Sequence, residues 1–331
     1  MAHRAFEQLS LADHIVAHKA RPNEMLDRVQ ELLDWPGLER IVGVLHSSDY
    51  GAPSYPPAVM LRVLLVQQWY GLSDPDLERA LWDRLSFRRF CGFPLDAAIP
   101  DHSTIWRFRE ALGEGLGRQV FEEVNRQLDA RGLILRQGTL VDASLVAAAV
   151  KPPPKPKDPP APDADGKVPS QLVKSKRDPD AEWTRKGGKR HFGYKVHVGV
   201  DKGSGLIRRA LVTGASVNDT VPADELICGD EAAVYADAAY HTHRRERELE
   251  ARGIAPYLMR RGNKHHPLSQ ADKDRNKAIG KDRGPVEQVF ARLKTAYRWA
   301  RVRYLGRKRN TTHFLMLCIA MNLKRMVVLC A

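Results

Sequence analysis

Residues 139–147 read TLVDASLVA, a run of strand-forming side chains broken by one carboxylate, Asp142. Leu140, Val141, Leu145 and Val146 favour a pleated, buried segment. An ionised acid in their company is costly without a compensating partner. Two readings stand open here: a strand end at which Asp142 reaches water, or a strand that carries an acid to a waiting cation. The stretch AAVYADAAY (232–240) repeats the pattern, since an apolar strand again arrives at an acid, Asp237.

Working outward, HFGYKVHVGV (191–200) alternates, with Phe192, Tyr194, Val196, Val198 and Val200 on one face and Lys195 and His197 on the other. DKGSG then supplies a turn and LIRRALVTG a second strand, so a β-hairpin is expected. A short helical segment from Asp219 to Leu226 follows, with Asp219 as its cap, then the strand ending at Asp237. The charged helix HRRERELEARG, the short strand APYLMR, a basic loop to Gly284 and the helix PVEQVFARLKTAYRW complete the region. This succession is that of a mixed α/β sheet with helices packed on it.

Upstream, residues 1–133 read as helical throughout. PPAVMLRVLLVQQWYG starts with proline and ends at Gly71. Ser73 caps the next helix, Ser103 is the expected cap of TIWRFREAL, and GRQVFEEVNRQLDARG closes the region. Short helices joined by tight turns, with Arg107 and Arg109 projecting, are compatible with a helix-turn-helix DNA reader. From 134 to 331 we expect the sheet domain, interrupted at 151–180 by an extended connector in which eight of the residues 151–169 are proline. Its last element is a buried helix at 311–327.

Composition narrows the partners. The net charge is +13, and between Arg260 and Asn310 stand 16 Lys or Arg against four acids, an excess of 12 that accounts for nearly all of it. Cationic density of this kind neutralises phosphates and points to nucleic acid. The four cysteines, Cys91, Cys228, Cys318 and Cys330, are scattered without pairing, which suits a reducing cytoplasm. Residues 1–22 lack the apolar core of a signal peptide, and the run Phe314–Met321 is far shorter than the roughly 20 residues of a membrane span, so no membrane is expected.

Three acids can meet at one edge of such a sheet: Asp142, Asp237 and, from the later helix, Glu287 beside Val286, Val289, Phe290 and Leu293. Crowded carboxylates raise one another's pKa unless a cation neutralises them. Oxygen-only ligands suit Mg²⁺ or Mn²⁺, and a pair of such ions supports in-line phosphoryl displacement. With Pro285 at the first helical position, Glu287 falls in the first turn, and Arg283 and Lys294 flank it as phosphate-holding cations.

The motifs TLVDASLV, VYADAAYHT and RGPVEQVFARLK, taken in this order, resemble those of the DDE transposases of bacterial insertion sequences, specifically the insertion-sequence 5 family. The resemblance runs from about residue 55 to 325, and Arg283, Glu287 and Lys294 keep the family's C-terminal spacing, while Gly280 stands where relatives carry tyrosine. It implies an RNase H-like core after an all-α region, with Asp142, Asp237 and Glu287 as catalytic ligands of two Mg²⁺ or Mn²⁺ ions. It also implies water-driven cleavage at the element's ends and attack of the freed 3′-hydroxyl on target DNA. Lys195, His197 and Tyr240 become further candidate DNA contacts. The implied partners are double-stranded DNA, as terminal inverted repeats and target, and a second copy of the chain, in the bacterial cytoplasm at the nucleoid. A non-catalytic DNA-binding regulator and a nuclease without strand transfer are the competing readings.

Overall fold

The computed structural model describes residues 23–45, 53–152, 175–262 and 265–331. They form two compact units, one of residues 1–135 with 312–331 and one of 136–311.

The first unit is helical. It contains α1 (Glu24–Leu32), α2 (Trp35–Val42), α3 (Pro57–Tyr70), α4 (Asp74–Asp83), α5 (Leu85–Cys91) and α6 (His102–Ala130). α3 begins at its proline and ends at Gly71, whose left-handed conformation (φ 64°) closes the helix. It is buried on nearly every side, so an expected single apolar face gives way to a central core helix. Ser73 caps α4 as expected, but α6 is capped by Asp101, which accepts from the Thr104 amide at 2.6 Å, rather than by Ser103. The two helices expected over 104–131 join as segments of α6 at a kink at Gly113.

The final helix, α9 (Arg307–Leu329), corrects the expected boundary: from Thr312 onward it packs in the helical unit, not in the sheet unit. Trp69 Nε1 donates to the Ala320 carbonyl at 2.8 Å, His313 Nε2 meets Gln68 Oε1 at 3.0 Å, and Asn322 donates to Asn125 Oδ1 at 2.9 Å. An α3 that is apolar all round needs a partner of the same kind, and burial at roughly 1.5–3 kcal/mol per large aliphatic side chain holds the two together. α9 is long and apolar enough to cross a bilayer, yet 72% of its apolar window is buried in the fold.

The second unit is built on a six-stranded mixed sheet in the order β2-β3-β1-β5-β6, with β4 also pairing β3. The strands are β1 (Thr139–Ala147), β2 (Glu182–Lys186), β3 (Lys189–Asp201), β4 (Ile207–Gly214), β5 (Ala233–Ala236) and β6 (Ala255–Leu258). β1 runs antiparallel to β3 and parallel to β5, and β5 parallel to β6. This is the RNase H-like arrangement, with β1 at the centre. α7 (His243–Ala251) connects β5 to β6, and α8 (Gln270–Thr295) follows.

Three expectations change here. β2 is a strand where none was expected, just past the connector of 151–180, of which residues 153–174 lie outside the described residues. α8 starts at a Ser269 cap, 15 residues before the expected Pro285 start, so the first-turn dipole argument for Glu287 falls. Pro285 is tolerated inside α8 because it sits on the exposed side, where the carbonyl it leaves unbonded can take water. The buried stripe Ile279, Arg283, Val286, Phe290, Leu293 runs unbroken past it. Asp219 caps no helix; a 3₁₀ turn at Asp224–Leu226 replaces the expected segment.

Candidate active site

β1 and β5 pair through Val141 and Ala236, and the next residue on each strand is an acid. Asp142 and Asp237 therefore each follow the Val141–Ala236 pair, Asp142 within β1 and Asp237 just past the end of β5, where the two strands lie about 4.8 Å apart. The backbone orients both. Asp142 Oδ1 accepts from the Ala143 amide at 2.8 Å, and Asp237 Oδ1 from the Ala239 amide at 2.8 Å in a turn of the kind aspartate favours.

Burial pushes the Asp142 carboxyl up to about 6. The neighbouring guanidinium of Arg283 opposes the rise, the Asp237 charge adds to it, and Lys186 lowers it. The Arg283 contact is a single one, Nη2 to Asp142 Oδ2 at 3.3 Å; its Nη1 faces only the Met259 sulfur at 3.9 Å and its Nε has no hydrogen-bond partner. Expected as a phosphate contact, Arg283 is buried and spent on Asp142.

Glu287 is exposed, one helical turn beyond Arg283, which brings its Cβ within about 5–6 Å of the residue that touches Asp142. Lys294 is two turns further on; burial and the charge of Lys186 lower its pKa. Lys186, in a strand that the sequence reading left unassigned, is a missed cation whose charge acts on both Asp142 and Lys294. The signal was present: two glycines between Trp183-Thr184-Arg185-Lys186 and Lys189-Arg190-His191-Phe192 mark a tight hairpin.

Besides Arg283, the structure engages four expected DNA contacts inside the fold. Tyr240 is 1% exposed, with its hydroxyl unpartnered; burial, then the charges of Asp219, Asp142 and Asp237, push its pKa well up, so it stays a protonated donor beside the acids. His197 is fully buried, Nε2 to Thr213 Oγ1 at 2.9 Å, and burial holds it neutral with a pKa of about 4. Its register partner is Ala143, so it projects from the face opposite Asp142. Arg109, in the helical unit, is 4% exposed and clasped by Asp74. Lys195 is engaged inside the fold, its Nζ 2.8 Å from Asp219 and donating to the Val217 carbonyl at 2.6 Å. Arg107 is exposed and donates to Ser103 Oγ at 2.8 Å.

Two backbone-fixed carboxylates, one raised by burial and met by one loose guanidinium contact, form a hard oxygen donor set that fits Mg²⁺ or Mn²⁺.

Comparison with known proteins agrees. Residues 14–111 match a transposase domain family (DUF772), and residues 135–323 match the transposase DDE domain, which spans the whole sheet unit. Among solved structures, a piggyBac transposase synaptic complex with hairpin DNA is similar at a TM-score of 0.43 and 8% identity, covering 91% of this chain and 72% of that one, a likeness too distant to carry an argument. With its two strand acids each following the Val141–Ala236 pair and the family match over more than half its length, the chain belongs to the transposase DDE domain family, and is a DNA transposase whose family implies dependence on a divalent metal.

Proposed function

We propose that this transposase is of the insertion-sequence 5 type and cuts DNA at the ends of its element, then joins those ends to target DNA. The observation that carries the reading is that Asp142 and Asp237 each follow directly on the Val141–Ala236 pair of β1 and β5. Asp142, Asp237 and Glu287 hold two Mg²⁺ or Mn²⁺ ions, which when bound supply charge stabilisation to both the attacking and the leaving oxygen. The amides of Ala143 and Ala239 fix one oxygen of each Asp, and the second oxygens, that of Asp142 now met by Arg283, are the ones that would meet the ions. In the first step a water oxygen bonds to phosphorus and the bond to the 3′ oxygen breaks, freeing a 3′-hydroxyl. In the second, that hydroxyl attacks a target phosphodiester and displaces another 3′ oxygen. Lys294, exposed on α8, and Arg107, exposed on α6, hold phosphates. Two copies of the chain hold the two ends, in the bacterial cytoplasm at the nucleoid.

The test uses the full chain, DNA carrying the element's terminal repeats, and Mg²⁺ or Mn²⁺. Wild type is expected to give free 3′ ends and joined product, and Asp142→Asn to bind the same DNA without cutting it. Binding without cutting by the wild type would establish the regulator instead, and cutting without joining the nuclease.

A further inference from the structure

The ribbon formed by β2 and the start of β3 carries a concentration of charge of which only Lys186 acts on the acid pair. Its strands are joined by Gly187 and Gly188, both in the left-handed region (φ 56° and 77°), as a two-residue hairpin turn requires. A Cβ added to either glycine would meet no atom within 4 Å, so the tip stands clear of the fold. At its base Trp183 pairs with Phe192, rings 5.3 Å apart. At its tip Arg185 is opposite Arg190, and Lys186 opposite Lys189.

Like charges directly opposite on paired strands are destabilising. Two such pairs in succession, all four side chains exposed, amount to a standing repulsion at the end of a protruding ribbon. Its position is informative too. A straight β3 would place Lys189 nine residues, or about 30 Å, from the level of Val198, the register partner of Asp142. The last pair of the β1–β3 ladder is Ala147 with Gly193, so the ribbon runs on past that end of β1.

We propose that the β2–β3 hairpin is a DNA-backbone clamp, in which Arg185, Lys186, Lys189 and Arg190 grip phosphates of the bound DNA away from the acid pair. A polyanion turns the repulsion between the cation pairs into attraction, and a two-stranded ribbon is narrow enough to lie along a groove. The clamp reads no sequence. The inference rests on the function proposed above, and its test is separable from it.

Binding of duplex DNA to the full chain is measured against salt concentration, with divalent metal chelated so that nothing is cut. For Lys189→Ala/Arg190→Ala the slope of log K against log salt is expected to shrink by about 2, near 0.9 per lost phosphate contact, and affinity at moderate salt to fall roughly tenfold or more. The thermal midpoint should stay at or above that of the wild type, because a repulsion has been removed. Lys189→Arg/Arg190→Lys, which keeps the charges, should keep the slope. An unchanged slope in the alanine variant, in a protein whose wild type binds and cuts DNA, overturns the clamp alone. Equal losses in the charge-keeping variant overturn it too, since shape rather than charge would be responsible. A wild type that binds no DNA overturns both readings.

Discussion

Each unit buries an arginine against an aspartate, Arg109 against Asp74 and Arg283 against Asp142, and these two pairs are built to different standards. In the helical unit Arg109 meets Asp74 through two contacts, Nη2–Oδ2 at 2.5 Å and Nη1–Oδ1 at 2.9 Å, with Gln67 Oε1 a further acceptor at 3.0 Å. Asp74 also stands in the first turn of α4, where the helix dipole favours its charge. In the sheet unit Arg283 reaches Asp142 once, at 3.3 Å, and Asp142 remains pushed up to about 6. The first pair is bidentate and serves the fold. The second leaves its carboxylate wanting a stronger cation, which is how a site differs from a strut.

The largest effect that separates the pairs is on activity. Several kcal/mol of transition-state charge stabilisation correspond to a loss of roughly 10³-fold or more in cleavage for Asp142→Asn. Asp74→Asn, scored on the fraction still folded, should leave cleavage within a few-fold of wild type. A comparable loss of cleavage from both would erase the distinction.

Next comes stability. Arg109→Ala strands Asp74 and should cost about 3 kcal/mol in denaturant unfolding, at the lower end for breaking a buried pair because Asp74 keeps partial access to water and the helix terminus. Arg283→Ala should cost clearly less, since its partner is held by one loose contact.

Asp142→Asn should go the other way, stabilising the metal-free protein at pH 7.5 by about 2 kcal/mol, an amount discounted from the full shift because the carboxyl keeps some solvent. The folded state holds the Asp142 proton more tightly than the unfolded chain, so the penalty is complete above about pH 6 and vanishes as pH falls toward 3.8. The advantage of the Asn variant must fade over the same window. His197 acts oppositely: kept neutral in the fold, it costs stability as pH falls from 6.5 to about 4, so the two variants have to be compared at each pH rather than across the titration.

The contrast between the pairs also marks what the sequence reveals. Both strand aspartates were legible because a carboxylate that interrupts an apolar run is costly to bury and calls for a compensating cation. The β3–β4 hairpin was legible because alternation and a glycine turn agree. The roles of Arg109, His197 and Tyr240 were not, because alternation tells which residues share a face but not that both faces are covered. Arg283 was placed correctly in sequence and wrongly in role: only the fold shows that its helix starts at Gln270 and lays residue 283 in the buried stripe. β2 escaped because five residues, three of them charged, carry no strand signal apart from the glycine turn beside them.

The most direct measurement is a calorimetric Mn²⁺ titration of the full chain, wild type against Asp142→Asn, with Asp74→Asn as the comparison. The account predicts that wild type and Asp74→Asn bind Mn²⁺ alike and that Asp142→Asn binds at least tenfold more weakly. Equal Mn²⁺ affinity and stoichiometry in wild type and Asp142→Asn would contradict it.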